Sequence, residues 1–191
     1  MPRANKRRTP LGEPPALRSA YERHGVAGFY RQFGATYRNP HEPAVGAAIR
    51  LAVARWEIAL DRVLDLACGS GEATLALREL GCSSIEGIDP YTYDAYAQRT
   101  GLAAERHTFE QIAAGALAGR SYSAIVCSFA LHLAEPSRLP ALALQLSLLA
   151  ESLLILTPHK RPQLQPGWGW SAAGELVVDR VRARYYRRAW E

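Results

Sequence analysis

The chain has 191 residues, with 23 basic and 18 acidic side chains and a net charge of +5. That length suits one domain with room for a full core. No run of about 18 apolar residues is present, which excludes a membrane-spanning helix. No apolar signal core follows the basic N-terminus. Three widely spaced cysteines without a C-x-x-C pair exclude a disulfide scaffold and fit a reduced, cytoplasmic protein.

Residues 1–16 are rich in Arg, Lys, Pro and Gly and lack apolar periodicity, so a basic disordered arm is expected. Residues 17–37 carry Leu17, Tyr21, Phe29, Tyr30, Phe33 and Tyr37 and read as helical pieces broken near Gly25 and Gly34. Asn39-Pro40-His41-Glu42 is close to a capping box, with Asn39 as N-cap and Pro40 at the first helical position. The helix it opens runs to about Trp56, with Val45, Ile49, Ala52, Val53 and Trp56 on one stripe. Residues 17–58 thus form a helical cap ahead of a core at 60–160.

A strand is expected at about 62–67, then a turn, then a helix at about 72–80 stopped by Gly81. Strand two is placed at about 84–88, a helix at about 92–100 ended by Gly101, and a short strand near 104–108. The continuous apolar run of the fourth strand, about 122–128, implies burial on both faces, as at the centre of a parallel sheet. A leucine-rich helix over 136–150 and a strand at 153–156 follow. From Val177 to Arg187 the residues alternate with period two, which reads as one long strand with an arginine-rich face at Arg180, Arg182 and Arg184.

The chain is organised around Val63-Leu64-Asp65-Leu66-Ala67-Cys68-Gly69-Ser70-Gly71-Glu72. A strand, a glycine turn and a helix start make a site where a ligand touches backbone, and Gly69 and Gly71 admit close approach. A dinucleotide is the first candidate, but Thr74 stands where the third glycine of G-x-G-x-x-G belongs. Asp65 at the end of the strand repels a pyrophosphate and attracts an ammonium group. Asp89 ends the second strand, 18 residues beyond Gly71, where a carboxylate accepts hydrogen bonds from both hydroxyls of a ribose. These residues ask for a nucleoside with a cationic tail and no phosphates.

Val-Leu-Asp-Leu-Ala-Cys-Gly-Ser-Gly-Glu resembles motif I of the class I S-adenosylmethionine-dependent methyltransferases. Gly87-Ile88-Asp89-Pro90 resembles their second motif, and residues 121–133 are similar to their fourth strand and the turn after it. The resemblance implies a doubly wound α/β fold, a mostly parallel seven-stranded sheet flanked by helices. Only 31 residues follow Lys160, so an incomplete C-terminal hairpin is expected. It implies S-adenosyl-L-methionine as cofactor and S-adenosyl-L-homocysteine as product. The residues it points to are Asp65, Ala67, Gly69, Gly71, Asp89, Pro90 and Ser128, with Tyr91 covering the adenosine and Glu110, or else Gln111, at the adenine amino group.

The aromatic arm brings Tyr37 and Arg38 as candidates for the methionine end. His132, at the carboxyl end of the fourth strand, and His41 are the candidate catalytic bases, needed only for a poor nucleophile. Each has a structural alternative: capping for the 37–41 cluster, packing for Tyr91 and His132. Lys160 and Arg161 at the rim, and Trp168-Gly169-Trp170 beyond, are candidates for facing or lidding the acceptor. No metal-ligand spacing is found. The favoured acceptor is a small molecule, because the length leaves little room for a substrate domain. The alternatives are RNA, held by the basic termini and the Arg180–Arg184 face, and a non-catalytic cofactor-binding subunit.

Overall fold

The computed structural model describes residues 38–190, together with Gly28. The expected arm at 1–16, the helical pieces of 17–37 and the candidate Tyr37 lie outside the described residues. The elements are α1 (Glu42–Trp56), β1 (Val63–Leu66), α2 (Glu72–Glu79), β2 (Ile85–Ile88), α3 (Tyr93–Thr100) and β3 (Ala104–Glu105), then α4 (Phe109–Ala113) and β4 (Tyr122–Ser128). A 3₁₀ turn (Leu131–Leu133), α5 (Leu139–Ser147), β5 (Ala150–Thr157), β6 (Trp170–Val178) and β7 (Val181–Arg188) complete the chain. No described helix is long and apolar enough to cross a membrane.

The seven strands form one sheet in the order β3-β2-β1-β4-β5-β7-β6. Strands β1 to β5 pair in parallel, and β7 runs antiparallel between β5 and β6. Strand order reverses direction between β1 and β4, so their carboxyl ends border the crevice where open α/β sheets bind ligands. Each face of the sheet has its own core. Val45, Ile49, Ala76 and Leu77 of α1 and α2 pack on Val63, Val126 and Leu154, and Leu139, Leu142 and Leu146 of α5 pack on Leu64, Ile125 and Leu153 on the other face. Alternation along β1 therefore turns Val63 and Asp65 toward α2, and Leu64 and Leu66 away from it.

Three expectations are corrected. The alternating run from Val177 is two strands, because Asp179 and Arg180 both adopt positive φ, 45° and 68°. Two successive left-handed residues make the tight turn whose twist suits a two-residue hairpin. The hairpin is therefore complete. Arg182 and Arg184 also do not present a free cationic face: both pair with Glu175, and Arg184 is buried. At the other end, α1 begins at Glu42 rather than at Pro40, and its N-cap is His41. The Asn39 side chain instead accepts a hydrogen bond from the His41 backbone N–H at 2.9 Å, a local turn of the kind asparagine favours.

Tyr96 of α3 is fully buried and lies over Gly87 of β2. A Cβ at Gly87 would sit 2.5 Å from the Tyr96 ring, with no flexible atom to yield. Gly87→Ala is expected to cost about 1–3 kcal/mol by overpacking, read by urea denaturation at unchanged m-value. A change below about 0.5 kcal/mol would contradict this packing.

Candidate functional site

A cavity of about 230 Å³ opens at the carboxyl ends of β1, β2 and β4. Its floor is the turn after β1, contributed by Leu66, Ala67, Cys68 and Gly69. Ala67 at the tip of β1 and Phe129 at the tip of β4 both line it, and both hold left-handed backbones, with φ of 55° and 56°. Such conformations cost about 1–3 kcal/mol each in a residue with a Cβ and are found where surrounding structure imposes them.

Asp89 is buried at the cavity wall. Its Oδ1 accepts from the backbone N–H groups of Tyr91 at 2.8 Å and Thr92 at 2.9 Å, and its Oδ2 accepts from Gly69 at 3.3 Å. These bonds aim the carboxylate across the turn and leave Oδ2 with lone-pair capacity for a ligand. Pro90, Tyr91, Glu110 and Ser128 line the same space, and the buried Ser128 hydroxyl has no partner among the described residues. Ile88, Phe109 and Leu133 supply apolar walls.

Three expected contacts lie elsewhere. Asp65 does not line the cavity; it lies beneath the turn, fully buried. Its Oδ2 accepts from the Thr74 backbone N–H at 3.0 Å and the Thr74 hydroxyl at 2.7 Å, and Thr74 Oγ1 lies 3.0 Å from the Tyr96 hydroxyl. The pleat of β1 points Asp65 at α2, so it organises the turn from below. Gly71 does not line the cavity either. Its glycine is required by α3, since a Cβ there would meet Thr100 Cγ2 at 2.4 Å in a backbone with φ of 91°. Gln111 is held in a capping box: its side chain accepts from the Thr108 N–H at 2.9 Å while Thr108 Oγ1 accepts from the Gln111 N–H. Thr108-x-x-Gln111 is legible as that motif in the sequence.

Of the remaining candidates, Arg38 is described but does not line the cavity. His41 stacks on Phe129 with ring centroids 5.2 Å apart, behind the cavity wall. His132 faces a second space on the other side of the 3₁₀ turn, with its ring edge-on to His159 at 4.6 Å. Burial, with repulsion from His159, lowers its pKa to about 4, so the ring is neutral at physiological pH. Trp170 is neither lid nor lining: it is buried in the core, and its indole N–H donates to the Ala143 carbonyl at 2.8 Å. All three cysteines are buried, and burial raises the Cys68, Cys82 and Cys127 thiols, so none is an activated nucleophile.

Asn39 and Glu72 line the cavity and were missed. Glu72 accepts from the Asn39 backbone N–H at 3.1 Å and from the Ser70 hydroxyl, and Arg99 approaches it at 3.7 Å. The signal for Glu72 was its place directly after Gly-Ser-Gly; Asn39 read only as a cap. With Glu72, Asp89 and Glu110 on its lining and no lysine or arginine among the described lining residues, the cavity suits a cationic ligand and opposes phosphates. A nucleoside with a sulfonium and an ammonium group fits this donor and charge set.

A family model described as "Methyltransferase domain" matches residues 31–191. The chain belongs to this family, and it is a methyltransferase of the S-adenosyl-L-methionine-dependent class. Among its relatives, Uncharacterized protein C17A5.05c of Schizosaccharomyces pombe is 31% identical over 229 aligned positions, covering 91% of this chain and 92% of that one. The fold is shared with the N-methyltransferase NodS of Bradyrhizobium japonicum, solved with S-adenosyl-L-homocysteine, at a TM-score of 0.64 and 15% identity over 90% of this chain and 98% of that one. It is shared too with the magnesium protoporphyrin IX methyltransferase of Synechocystis, with a TM-score of 0.60, 16% identity and coverage of 91% and 100%. A putative RNA methyltransferase of Pyrococcus horikoshii matches with a TM-score of 0.59 at 13% identity, over 81% of this chain and 87% of that one.

The geometry under the turn has a pH signature. Burial raises the Asp65 pKa from 3.8 to about 7, Thr74 opposing and the nearby Glu72 and Asp89 adding to it. Between those values the folded chain binds more protons at Asp65 than the unfolded chain does. This group's contribution therefore falls as pH rises through that window, by at most about 1.4 kcal/mol per pH unit. His132, with its lowered pKa, acts in the opposite sense. Asp65→Asn is expected to remove the falling component, so that its stability rises from pH 4.5 to 6.5 relative to wild type in denaturant titrations. Parallel curves for the two proteins would contradict the burial of this carboxylate.

Proposed function

We propose that the chain transfers the methyl group of S-adenosyl-L-methionine to a small-molecule acceptor by in-line displacement. The observation that carries this reading is the acidic cavity at the switch point, with Asp89 aimed across a glycine turn. Bound there, S-adenosyl-L-methionine supplies a sulfonium methyl carbon that already bears its leaving group. The acceptor's lone pair forms the new bond to that carbon while the carbon–sulfur pair returns to sulfur, leaving S-adenosyl-L-homocysteine. The protein's part is positioning and exclusion of water.

Asp89 holds the ribose hydroxyls, Ile88 and Phe109 sandwich the adenine ring, and Glu110 accepts from its amino group. Glu72 and the Ser128 hydroxyl face the cationic tail. Asp65 fixes the turn through Thr74 without touching the ligand. Where the acceptor must lose a proton, His132 takes it, being neutral at physiological pH. Its low basicity limits that contribution to the lower end of the usual range, about 10²-fold. A small acceptor is favoured over RNA because Arg182 and Arg184 are already paired within the hairpin. Cytoplasmic location is part of the same proposal.

Two measurements test it. Asp89→Ala is expected to weaken S-adenosyl-L-homocysteine binding by calorimetry at least about tenfold, the worth of a charge-assisted hydrogen bond; unchanged affinity would remove Asp89 from the site. Incubation of a cell extract with the protein and methyl-labelled donor is expected to place label in the small-molecule fraction. Label confined to RNA would replace the acceptor class, and no label above a heat-killed control would leave the non-catalytic alternative.

A further inference from the structure

The second space beside the site, about 570 Å³, lies between the 3₁₀ turn and the segment after β5. Its lining includes Lys160, Arg161, Gln163, Gln165, His132 and Trp168, and no carboxylate among the described residues. Neither Lys160 nor Arg161 makes an ion pair with a described residue. Lys160 and Arg161 are consecutive in the chain and both exposed, and they give this lining a positive charge that favours an anion.

The segment that carries these cations is held rigidly from outside. Arg184 of β7 is buried, and every nitrogen of its guanidinium is engaged. Its Nη2 donates to the Lys160 carbonyl at 2.6 Å, its Nη1 to the Pro162 carbonyl at 2.7 Å, and its Nε to Glu175 at 2.8 Å. A buried arginine neutralised by Glu175 thus pins the backbone on both sides of Arg161. Pinning removes the loop's ordering cost from ligand binding.

The two cavities share a wall. Ser128, Phe129, Ala130 and Leu133 face the acidic cavity, while His132 and Ala134 of the same segment face the basic one. Neighbouring chambers of opposite sign sort two ligands of opposite charge: a cationic methyl donor on one side and an anion on the other.

We infer that the basic cavity is the acceptor chamber and that it takes a small molecule with a carboxylate or phosphate group and a planar apolar body, the anion held by Lys160 and Arg161 and the body laid against Trp168. This rests on the methyltransferase reading given above. The anion is an anchor and is not itself methylated; the acceptor reaches past His132 at the edge of the 3₁₀ turn, so that its nucleophile meets the methyl group held in the acidic cavity. Arg184 is a positioning residue for the two cations.

The test uses the full chain and the probes phenyl phosphate, benzoate, inorganic phosphate and the neutral benzyl alcohol, titrated by calorimetry with and without S-adenosyl-L-homocysteine, with a single-stranded oligoribonucleotide as competitor. Phenyl phosphate and benzoate are expected to bind saturably and benzyl alcohol at least about tenfold more weakly. Lys160→Gln and Arg161→Gln are each expected to weaken both anions about tenfold while leaving S-adenosyl-L-homocysteine affinity within twofold. Trp168→Ala is expected to weaken phenyl phosphate but not inorganic phosphate. Equal binding of the neutral probe, or anion binding unchanged in the Lys160→Gln/Arg161→Gln double variant, would overturn the inference. A single-stranded oligoribonucleotide that displaces phenyl phosphate at a far lower concentration than phenyl phosphate itself requires would also overturn it, in favour of RNA. Loss of homocysteine-product binding in wild type, with anion binding intact, would fail the methyltransferase reading instead, so the two failures are distinct.

Discussion

A carboxylate without access to water organises this molecule. Asp65 points from β1 into the base of α2, where Thr74 meets it, and Thr74 in turn meets the hydroxyl of Tyr96. Burying a carboxylate is costly unless hydrogen bonds compensate, and here one oxygen is bonded twice while the other has no partner among the described residues. The chain accepts that cost to fix three elements together: the strand that ends in the turn, the helix that leaves it, and the helix that covers it. Gly71 and Gly87 are the two places where Tyr96 and its helix press against backbone. The cavity floor is rigid because its underside is.

From that floor the charge pattern follows. The turn presents Gly69 to Asp89, and Glu72 and Glu110 complete an acidic rim around one chamber. On the far side of the 3₁₀ turn the sign reverses at Lys160 and Arg161. The β6–β7 hairpin contributes to this at a distance, because the arginine that pins the basic segment is on β7 and its counter-charge is on β6. Hairpin and parallel core thus shape neighbouring chambers.

Much of this was legible in the amino-acid order. The strand–turn–helix at 63–79, the buried fourth strand and the carboxylate at 89 are local patterns with strong periodicity or fixed spacing, and they lie where the pattern put them. What failed to show was tertiary. Asp65 looked like a ligand contact because spacing along a strand does not say which face meets water; the pleat and α2 decide that. Gly71 looked like ligand clearance, yet the atom it clears belongs to Thr100, 29 residues on. Arg184 looked like part of a solvated stripe, because nothing in its neighbourhood announces that Glu175 and two carbonyls across the sheet edge will surround it. The turn at Asp179-Arg180 was hidden by an alternation that runs unbroken through it. His132 follows β4 in the 3₁₀ turn, and on which side of that turn it falls depends on packing alone.

The account stands most directly on where the product lies. A crystal structure of the chain with S-adenosyl-L-homocysteine is expected to place the ribose hydroxyls within hydrogen-bond distance of Asp89 Oδ2, the nucleoside over Ala67–Gly69, and no ligand atom against the Asp65 carboxylate. Density for the nucleoside in the basic chamber beside Lys160, or a direct contact from its ammonium group to Asp65 with the Thr74 bonds broken, would contradict it.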